Sequence, residues 1–298
     1  MAGVTAIKRR LIASVTTSLV SALYVAQIAQ AQIPTSQITT SQTTGAQLAR
    51  MPDFSSNRAA WGGAGSGDFL AVPGSPLPIT QDPRYPRIGN AQSRRTGEQV
   101  TYRIGDLSNP NLREWARDIM QKDSDEILAG KIAFASRSSC MPAGVPNFVA
   151  IGGGLLYILQ SPDLVLMLRD GNAQMRRIYL NAPHSENPAP SWYGDSVGHY
   201  EGDTLVIDTI GLNDRSFVDS YRTPHTEKLH VIERWRLVEG GERIDVHISV
   251  DDPGTFNQPW QAIRSFEREQ AIYGEEICAE NNQHVFDYGV PTDNTPDF

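Results

Sequence analysis

This sequence has little cysteine, no long apolar run and no excess of basic residues. Two cysteines occur among 298 residues, which excludes the small scaffolds that several disulfides hold together. No apolar run is long enough for a settled membrane span of ~20 residues, which argues against a polytopic membrane protein. Hydrophobic residues make up 40% of the chain, an ordinary share for a globular protein with one sizeable core.

The charge balance argues against partners with many negative charges. The chain carries 34 Asp and Glu against 26 Lys and Arg, and no basic stripe interleaved with aromatic residues offsets this excess locally. An acidic surface repels phosphate backbones and anionic lipids. We therefore expect no nucleic acid among the partners of this protein.

The motifs of several large enzyme classes are absent as well. There is no GxSxG elbow, no Walker loop, no GxGxxG between a strand and a helix, and no CxxCH haem site. The glycine run at Gly152–Gly154 precedes a predicted strand, so it lacks the helix N-terminus that binds phosphate. Serine hydrolysis, nucleotide binding and dinucleotide redox chemistry are disfavoured, and we expect no cofactor.

Residues 1–31 have the pattern of an export signal. The basic, apolar and small-residue regions of such a signal correspond to Lys8–Arg10, Leu11–Ile28 and Ala29–Ala31. Cleavage after Ala31 would move the formal net charge from −8 to −11. The predicted location is periplasmic or secreted, by the general or the twin-arginine route, with no stable membrane anchor after cleavage. A retained membrane helix is the alternative.

Export would place Cys140 and Cys278 in an oxidising compartment, where two cysteines can form a disulfide. A disulfide between them is the favoured interpretation and is worth roughly 4 kcal/mol on the chain-entropy model. Spacing in the sequence does not show whether their Cα atoms come within bridging distance. A nucleophilic thiol or a metal ligand is the alternative, although neither cysteine has a CxxC or CxxH neighbour.

Two further regions follow the signal. Residues 32–92 are rich in Gln, Ser, Thr, Pro and Gly, and this composition predicts a flexible leader that ends in a strap on the domain surface. Residues 93–298 are predicted to form a single folded domain.

One helix is predicted in that domain, near residues 110–129. Asn109 can cap it, and Leu112, Trp115 and Ile119 recur at helical spacing. We expect the helix to pack on the domain through that apolar stripe.

After Cys140 the sequence turns to short strands bounded by Gly, Pro, Asn and Asp. The predicted strands are residues 155–160, 164–169, 174–180, 196–201, 204–210, 229–238, 242–250 and 262–270. Consecutive hairpins of this kind predict a mainly β fold, an antiparallel up-and-down barrel of the lipocalin or calycin type. A two-sheet sandwich is the alternative. The interior of such a barrel either fills with side chains or holds one small ligand.

Alternation along the strands places polar residues on apolar faces. Glu233 shares a face with Trp235, and Asp208 shares one with Val206. A carboxylate in such a place needs a partner or stays protonated, and both states suit a general acid or base. Arg177 is predicted to point inward and to hold an anionic group. A buried structural ion pair between Arg177 and one of the two acids is the alternative.

The densest polar group lies between residues 184 and 227 and includes three histidines, His184, His199 and His225. Their spacing matches no metal-ligand motif, so no metal is predicted. Proton transfer by a neutral histidine is the favoured chemistry, because isomerisation, cyclisation, dehydration and retro-aldol cleavage need nothing more. The alternative is that Glu201–Thr204 builds a hairpin and the histidines make local loop hydrogen bonds.

A long motif runs through the same region. It reads W-x-G-x-S-V-G-x-x-E-G-D-T-L-V from Trp192, then N-D at Asn213, P-H-[ST]-E at His225, E-R at Glu233 and I-C-x-E-N at Cys278. From Arg176 to His284 the chain resembles an uncharacterised family of exported bacterial proteins with this pattern. The resemblance lends no activity. It implies that the polar group and Cys278 belong to a recurring pattern in which His199 stands at a variable position.

We therefore predict a cofactor-independent lyase, isomerase or cyclase that acts by general acid–base catalysis on a small, partly aromatic molecule in the barrel. The predicted catalytic residues are His225, Glu233, Asp208 and Tyr200, and the predicted substrate-binding residues are Arg177, Trp235, Trp192 and Asn213. A protein that binds the same ligand without altering it and a structural envelope protein with a solid core are the alternatives.

Overall fold

A computed structural model of the chain describes residues 51–55, 60–65, 67–131, 133, 140–150, 154–171 and 174–270. The predicted export signal and Cys278 lie outside the described residues, so the signal and the Cys140–Cys278 disulfide stay predictions. In the part of the chain that is described, no helix combines the length and the apolar character needed to cross a bilayer.

Within the described residues, ten strands form one sheet. They are β1 (Ala60–Gly63), β2 (Leu70–Ala71), β3 (Leu156–Gln160), β4 (Leu164–Arg169), β5 (Gln174–Leu180), β6 (Asp195–Glu201), β7 (Thr204–Ile210), β8 (His230–Val238), β9 (Arg243–Asp251) and β10 (Trp260–Glu269). Strand β1 pairs with both β10 and β3, which closes a nine-stranded barrel, and β2 pairs with the first half of β10. The predicted barrel and its eight strands are confirmed.

One strand pair departs from the up-and-down pattern. Strands β5 and β6 run parallel, with Tyr179 opposite Val197. Parallel neighbours need a crossover rather than a tight hairpin, and residues 181–194 supply this longer connection. The barrel is therefore mixed, and the purely antiparallel prediction was wrong at this junction.

The barrel also begins earlier than the predicted boundary at residue 93. Strands β1 and β2 lie inside the stretch predicted as leader and strap. Trp61 is buried in the core, where its Nε1 donates to the Phe54 carbonyl at 2.8 Å. Residues 51–55 and 60–92 therefore include parts of the folded unit, because Phe54, Trp61 and Phe69 are buried in its core.

Three α-helices occur in the described residues: α1 (Asn90–Thr96), α2 (Glu114–Leu128) and α3 (Asn147–Ala150). The predicted helix corresponds to α2, which starts later than expected because Arg113, not Asn109, occupies the N-cap position. Its buried residues are Ala116, Met120 and Ser124. Leu112 of the predicted packing stripe is buried just before the helix, whereas Trp115 and Ile119 are exposed, so the stripe was wrong at these two positions.

Large side chains fill the described barrel interior. Trp61, Trp235 and Phe266 are almost completely buried there, and Trp235 stacks on Phe266 with ring centroids 5.7 Å apart. Helix α3 packs against the same interior. Its Phe148 carbonyl accepts a hydrogen bond from the inward-facing Arg169, and its Val149 carbonyl accepts one from Arg264. The interior is therefore largely a packed core.

Candidate functional site

Glu233 lies in the barrel interior as predicted, but its partner is Arg176. Arg176 Nη2 lies 2.6 Å from Glu233 Oε2, and both side chains have 0% exposure. Arg177 is exposed on the outer face of β5 together with Met175 and Tyr179, so the prediction that it points inward was wrong. Met175 and Tyr179 had suggested that the face of Arg177 is the inner one, but on β5 these two residues point outward.

Hydroxyl groups complete this buried ion pair. Arg176 Nη2 donates to Thr209 Oγ1 at 2.9 Å and to Ser196 Oγ at 3.3 Å, and the two hydroxyls are themselves 2.9 Å apart. Among the described residues, Glu233 Oε1 and Arg176 Nη1 make no hydrogen bond. Solvent does not reach this pair. Glu233 therefore fits the alternative of a buried structural ion pair better than a catalytic role.

Two of the other predicted site residues also belong to the fold. Trp235 is buried in the core. The Tyr200 hydroxyl accepts a hydrogen bond from Gln160 Nε2 at 2.7 Å, and burial raises the pKa of Tyr200 above its usual value. Each side chain therefore has a place in the packing of the barrel interior.

The predicted binding residues Trp192 and Asn213 lie in the loops that flank β6 and β7. The Arg215 guanidinium lies over the Trp192 ring, 5.6 Å from its centroid. The side-chain oxygen of Asn213 accepts a hydrogen bond from the backbone N–H of Arg215 at 3.1 Å, and this bond shapes the turn after β7. Trp192 thus contacts the loop after β7, and Asn213 shapes that loop.

Asp208 lies on the outer face of β7, so its predicted inward position was wrong. Its Oδ1 atom is 2.8 Å from His230 Nε2 and 3.1 Å from His184 Nε2. The side chains of Asp208 and His230 are 38% exposed and that of His184 is 24% exposed. One carboxylate oxygen thus orients two imidazoles that solvent can reach, and we call these three residues the outer cluster.

A second carboxylate adjoins the outer cluster. His184 Nδ1 lies 3.5 Å from Asp195 Oδ2, and Asp195 in turn accepts a hydrogen bond from the Ser185 N–H at 2.7 Å. His184 comes from the crossover between β5 and β6, Asp195 begins β6, and His230 begins β8. The parallel junction of β5 and β6 is therefore what brings the crossover onto Asp208.

The three histidines considered as metal ligands do not converge. His199 pairs with Glu201 on the surface at 3.1 Å, and His225 is buried in the loop between β7 and β8. No group of histidines, cysteines and carboxylates in the described part of the chain has an arrangement that fits a metal ion.

The E-G-D-T part of the motif builds the β6–β7 hairpin. Gly202 has a φ of 62°, which glycine adopts without strain. Glu201 and Asp203 pair with Arg234 and Arg236 of the neighbouring strand β8 at 2.7 and 3.1 Å. Exposed pairs of this kind contribute little to stability, about 0–1 kcal/mol each, and this segment has a structural role.

His225 has a serine partner that sequence reasoning missed. Its Nε2 lies 2.8 Å from Ser216 Oγ, and its Nδ1 lies 3.1 Å from the Thr226 carbonyl oxygen. Both side chains are buried, each residue being 2% exposed. Burial lowers the pKa of His225 below its usual 6.5, opposed by the Thr226 carbonyl and by the charges of Asp252 and Asp214.

This burial predicts a pH dependence of stability. The unfolded chain takes up a proton at residue 225 near pH 6.5, whereas folded His225 does so only at lower pH. The unfolded state therefore binds more protons as the pH falls through 6.5, and the free energy of unfolding decreases. Calorimetric melting between about pH 8 and pH 5 should show a smaller loss in His225→Gln than in the unaltered protein. Equal losses in the two proteins would contradict the prediction.

A cavity of about 250 Å³ at the surface contains none of the predicted site residues. It is lined by Pro73, Gly74, Ser75, Pro76, Ser249, Pro259, Trp260 and Gln261. The outer cluster lies elsewhere, and it brings the predicted site residue Asp208 into contact with two histidines that remain accessible to solvent.

The fold and the outer cluster define a mixed β-barrel protein with an external histidine–aspartate site. No protein-family model matches the chain, and no curated protein shows significant similarity to it.

Proposed function

We propose that this protein is an exported, cofactor-independent lyase or isomerase that acts on a small molecule by general acid–base catalysis at the outer cluster. The observation that carries the proposal is the position of Asp208 Oδ1, which accepts hydrogen bonds from the Nε2 atoms of both His184 and His230. The basic and apolar pattern of residues 1–31 supports action in the periplasm or outside the cell.

His230 is suited to be the general base. A neutral imidazole that donates from Nε2 to Asp208 carries its lone pair on Nδ1. The hydrogen bond to Asp208 is the one that the structure describes for this ring, and the side chain is 38% exposed. A substrate can therefore approach Nδ1 from the solvent side, and the carboxylate stabilises the imidazolium that forms.

His184 is suited to position the carboxylate that serves His230. Its Nε2 lies 3.1 Å from Asp208 Oδ1 and its Nδ1 lies 3.5 Å from Asp195 Oδ2. Nδ1 is buried and Nε2 faces Asp208, so neither nitrogen of this ring is open to a substrate. Removal of a proton next to a carbonyl by His230, followed by loss of a group or return of the proton, is the reaction class that this arrangement serves.

Replacing Asp208 with Asn should lower turnover at least ~100-fold, because the amide no longer holds the base His230 in its tautomer or stabilises the imidazolium. Incubation in D₂O with a panel of small carbonyl compounds, and with a small-molecule extract of the host, tests many candidate substrates at once. NMR and mass spectrometry would detect protein-dependent C–H to C–D exchange or conversion. Because Asp208 is partly exposed, the variant should unfold within about 1 kcal/mol of the unaltered protein.

Asp203→Asn is the matched control, because Asp203 is an exposed carboxylate paired with Arg236 and is separate from the outer cluster. It should retain full turnover. If Asp208→Asn turned over as fast as Asp203→Asn, the outer cluster would not be the active site. Binding of a compound without any conversion would favour the alternative, a protein that carries its ligand unchanged.

A further inference from the structure

Ser216 and His225 form a pair that the outer cluster does not use. The distance of 2.8 Å from Ser216 Oγ to His225 Nε2 is a normal hydrogen bond between a hydroxyl and an imidazole. Activated serine nucleophiles require a base within this reach and a third group that orients the base. Here the third group is the carbonyl oxygen of Thr226, 3.1 Å from His225 Nδ1.

The carbonyl fixes the tautomer of His225. A carbonyl oxygen only accepts, so Nδ1 carries the proton and donates it to Thr226. Nε2 then has a lone pair, and the Ser216 hydroxyl donates to it. The hydroxyl proton of Ser216 therefore points at the atom that must take it up when the oxygen attacks. Burial lowers the pKa of His225, which keeps the ring in this neutral form at neutral pH.

The segment of residues 143–150 passes directly over Ser216. Gly144 has a φ of 72°, and a Cβ at this position would collide with Ser216 Oγ. Only glycine permits so close an approach of a backbone to the hydroxyl. Residues 143–150 are themselves buried, and the Ala143 N–H donates to Gln174 Oε1 at 3.0 Å. In this conformation the segment shields the hydroxyl from solvent.

We propose that Ser216 is the nucleophile of a second, hydrolytic active site that cleaves small carboxylic esters, with His225 as its base and residues 143–150 as its cover. Ser216 Oγ bonds to the ester carbonyl carbon and its proton passes to His225 Nε2. The bond to the alcohol oxygen then breaks, and the alcohol leaves with that proton. Water repeats the sequence on the acyl-serine, releases the acid and restores the serine. Small acyl groups suit a nucleophile that a backbone segment covers so closely.

Diisopropyl fluorophosphate is the probe for this nucleophile. Attack by Ser216 forms an oxygen–phosphorus bond, releases fluoride and leaves the hydroxyl proton on His225. Trypsin cleaves after Arg215 and Arg222, and the peptide between these sites holds Ser216 and Ser220. Fragmentation of the labelled peptide from the full, unaltered chain should place the phosphoryl group on Ser216. This mapping does not depend on the folding of any variant.

Three variants complete the test. Ser216→Ala should abolish labelling, and Ser220→Ala, the matched control, should leave the rate unchanged. His225→Gln should lower the labelling rate at least ~100-fold, as expected for loss of a general base. The rate in the unaltered protein should fall only at a pH below 6.5, because folded His225 resists protonation.

Three labelling results would contradict the proposal. Absence of any label on the folded protein, or label that maps to Ser220, would show that the Ser216–His225 hydrogen bond is only a structural contact. Labelling of Ser216 at the same rate in the His225→Gln variant would remove His225 as the base. None of these results bears on the outer cluster, because the two sites share no residue.

Discussion

Replacing Arg176 with Met should lower the free energy of unfolding by about 3–5 kcal/mol, the largest effect that we expect from a charged residue in this chain. The variant leaves Glu233 in the barrel interior, where its side chain is 0% exposed and has lost its ion-pair partner. The Ser196 and Thr209 hydroxyls also lose the guanidinium that donates to them. Urea unfolding followed by circular dichroism would measure the change.

A neighbouring arginine supplies the control for this experiment. Arg177 follows Arg176 in the sequence but lies exposed on the outer face of β5, so Arg177→Met should change stability by no more than about 0.5 kcal/mol. The double variant Arg176→Met with Glu233→Leu should recover most of the loss, because apolar residues often replace a buried ion pair at little cost. Equal stability of the two single variants would show that the buried pair does not form.

The strands from β3 to β10 could be predicted because their information is local. Alternating side chains and turn residues such as Asp170 and Gly202 mark where each strand begins and ends. The pairing of β1 could not be read in this way, since Ala60 pairs with Glu269 at the far end of the folded region. Such long-range pairings are decided by the packing of Trp61 into the core rather than by the local composition.

Alternation separates the two faces of a strand without stating which of them points inward. On β8 the apolar face was the inner one, and Glu233 was placed correctly. On β5 the outer face carries Met175 and Tyr179, so the interior arginine was misassigned by one residue. On β7 both Val206 and Ile207 are buried, so the strand has too little contrast to place Asp208. A charged residue can occupy a core position when a charge on another strand neutralises it.

The outer cluster was only partly visible in the sequence. His184 and Asp208 were recognised as members of the polar group, and the His230 contact follows from strand register. Asp208 lies opposite Ile232, so His230 is its diagonal neighbour on the same face. The His184 contact depends on the path of the crossover, which no local pattern specifies. Ser216 carried no signal at all, because it has no sequence motif and meets His225 only in the folded loop.

Replacing Trp235 with Ala should cost about 3–5 kcal/mol of stability, as removal of a large aromatic side chain from a core does. Trp235 is 0% exposed and stacks on Phe266, with an angle of 12° between the ring planes. It was predicted as a substrate-binding wall, and thermal or urea unfolding distinguishes the two roles. A binding wall beside an open hollow would lose affinity with little change in stability, whereas a core residue loses stability first.

Two further variants, Trp192→Ala and Trp235→Phe, are the controls that separate a core role of Trp235 from a binding role. Trp192→Ala removes a partly exposed ring beneath Arg215 and should cost about 1 kcal/mol or less. Trp235→Phe should cost clearly less than Trp235→Ala, because phenylalanine keeps an aromatic ring in the core. It also removes an indole N–H that has no hydrogen-bond partner among the described residues. If Trp235→Ala were no more harmful than Trp192→Ala, the barrel would hold a hollow at Trp235, and the ligand would belong inside it rather than at the outer cluster.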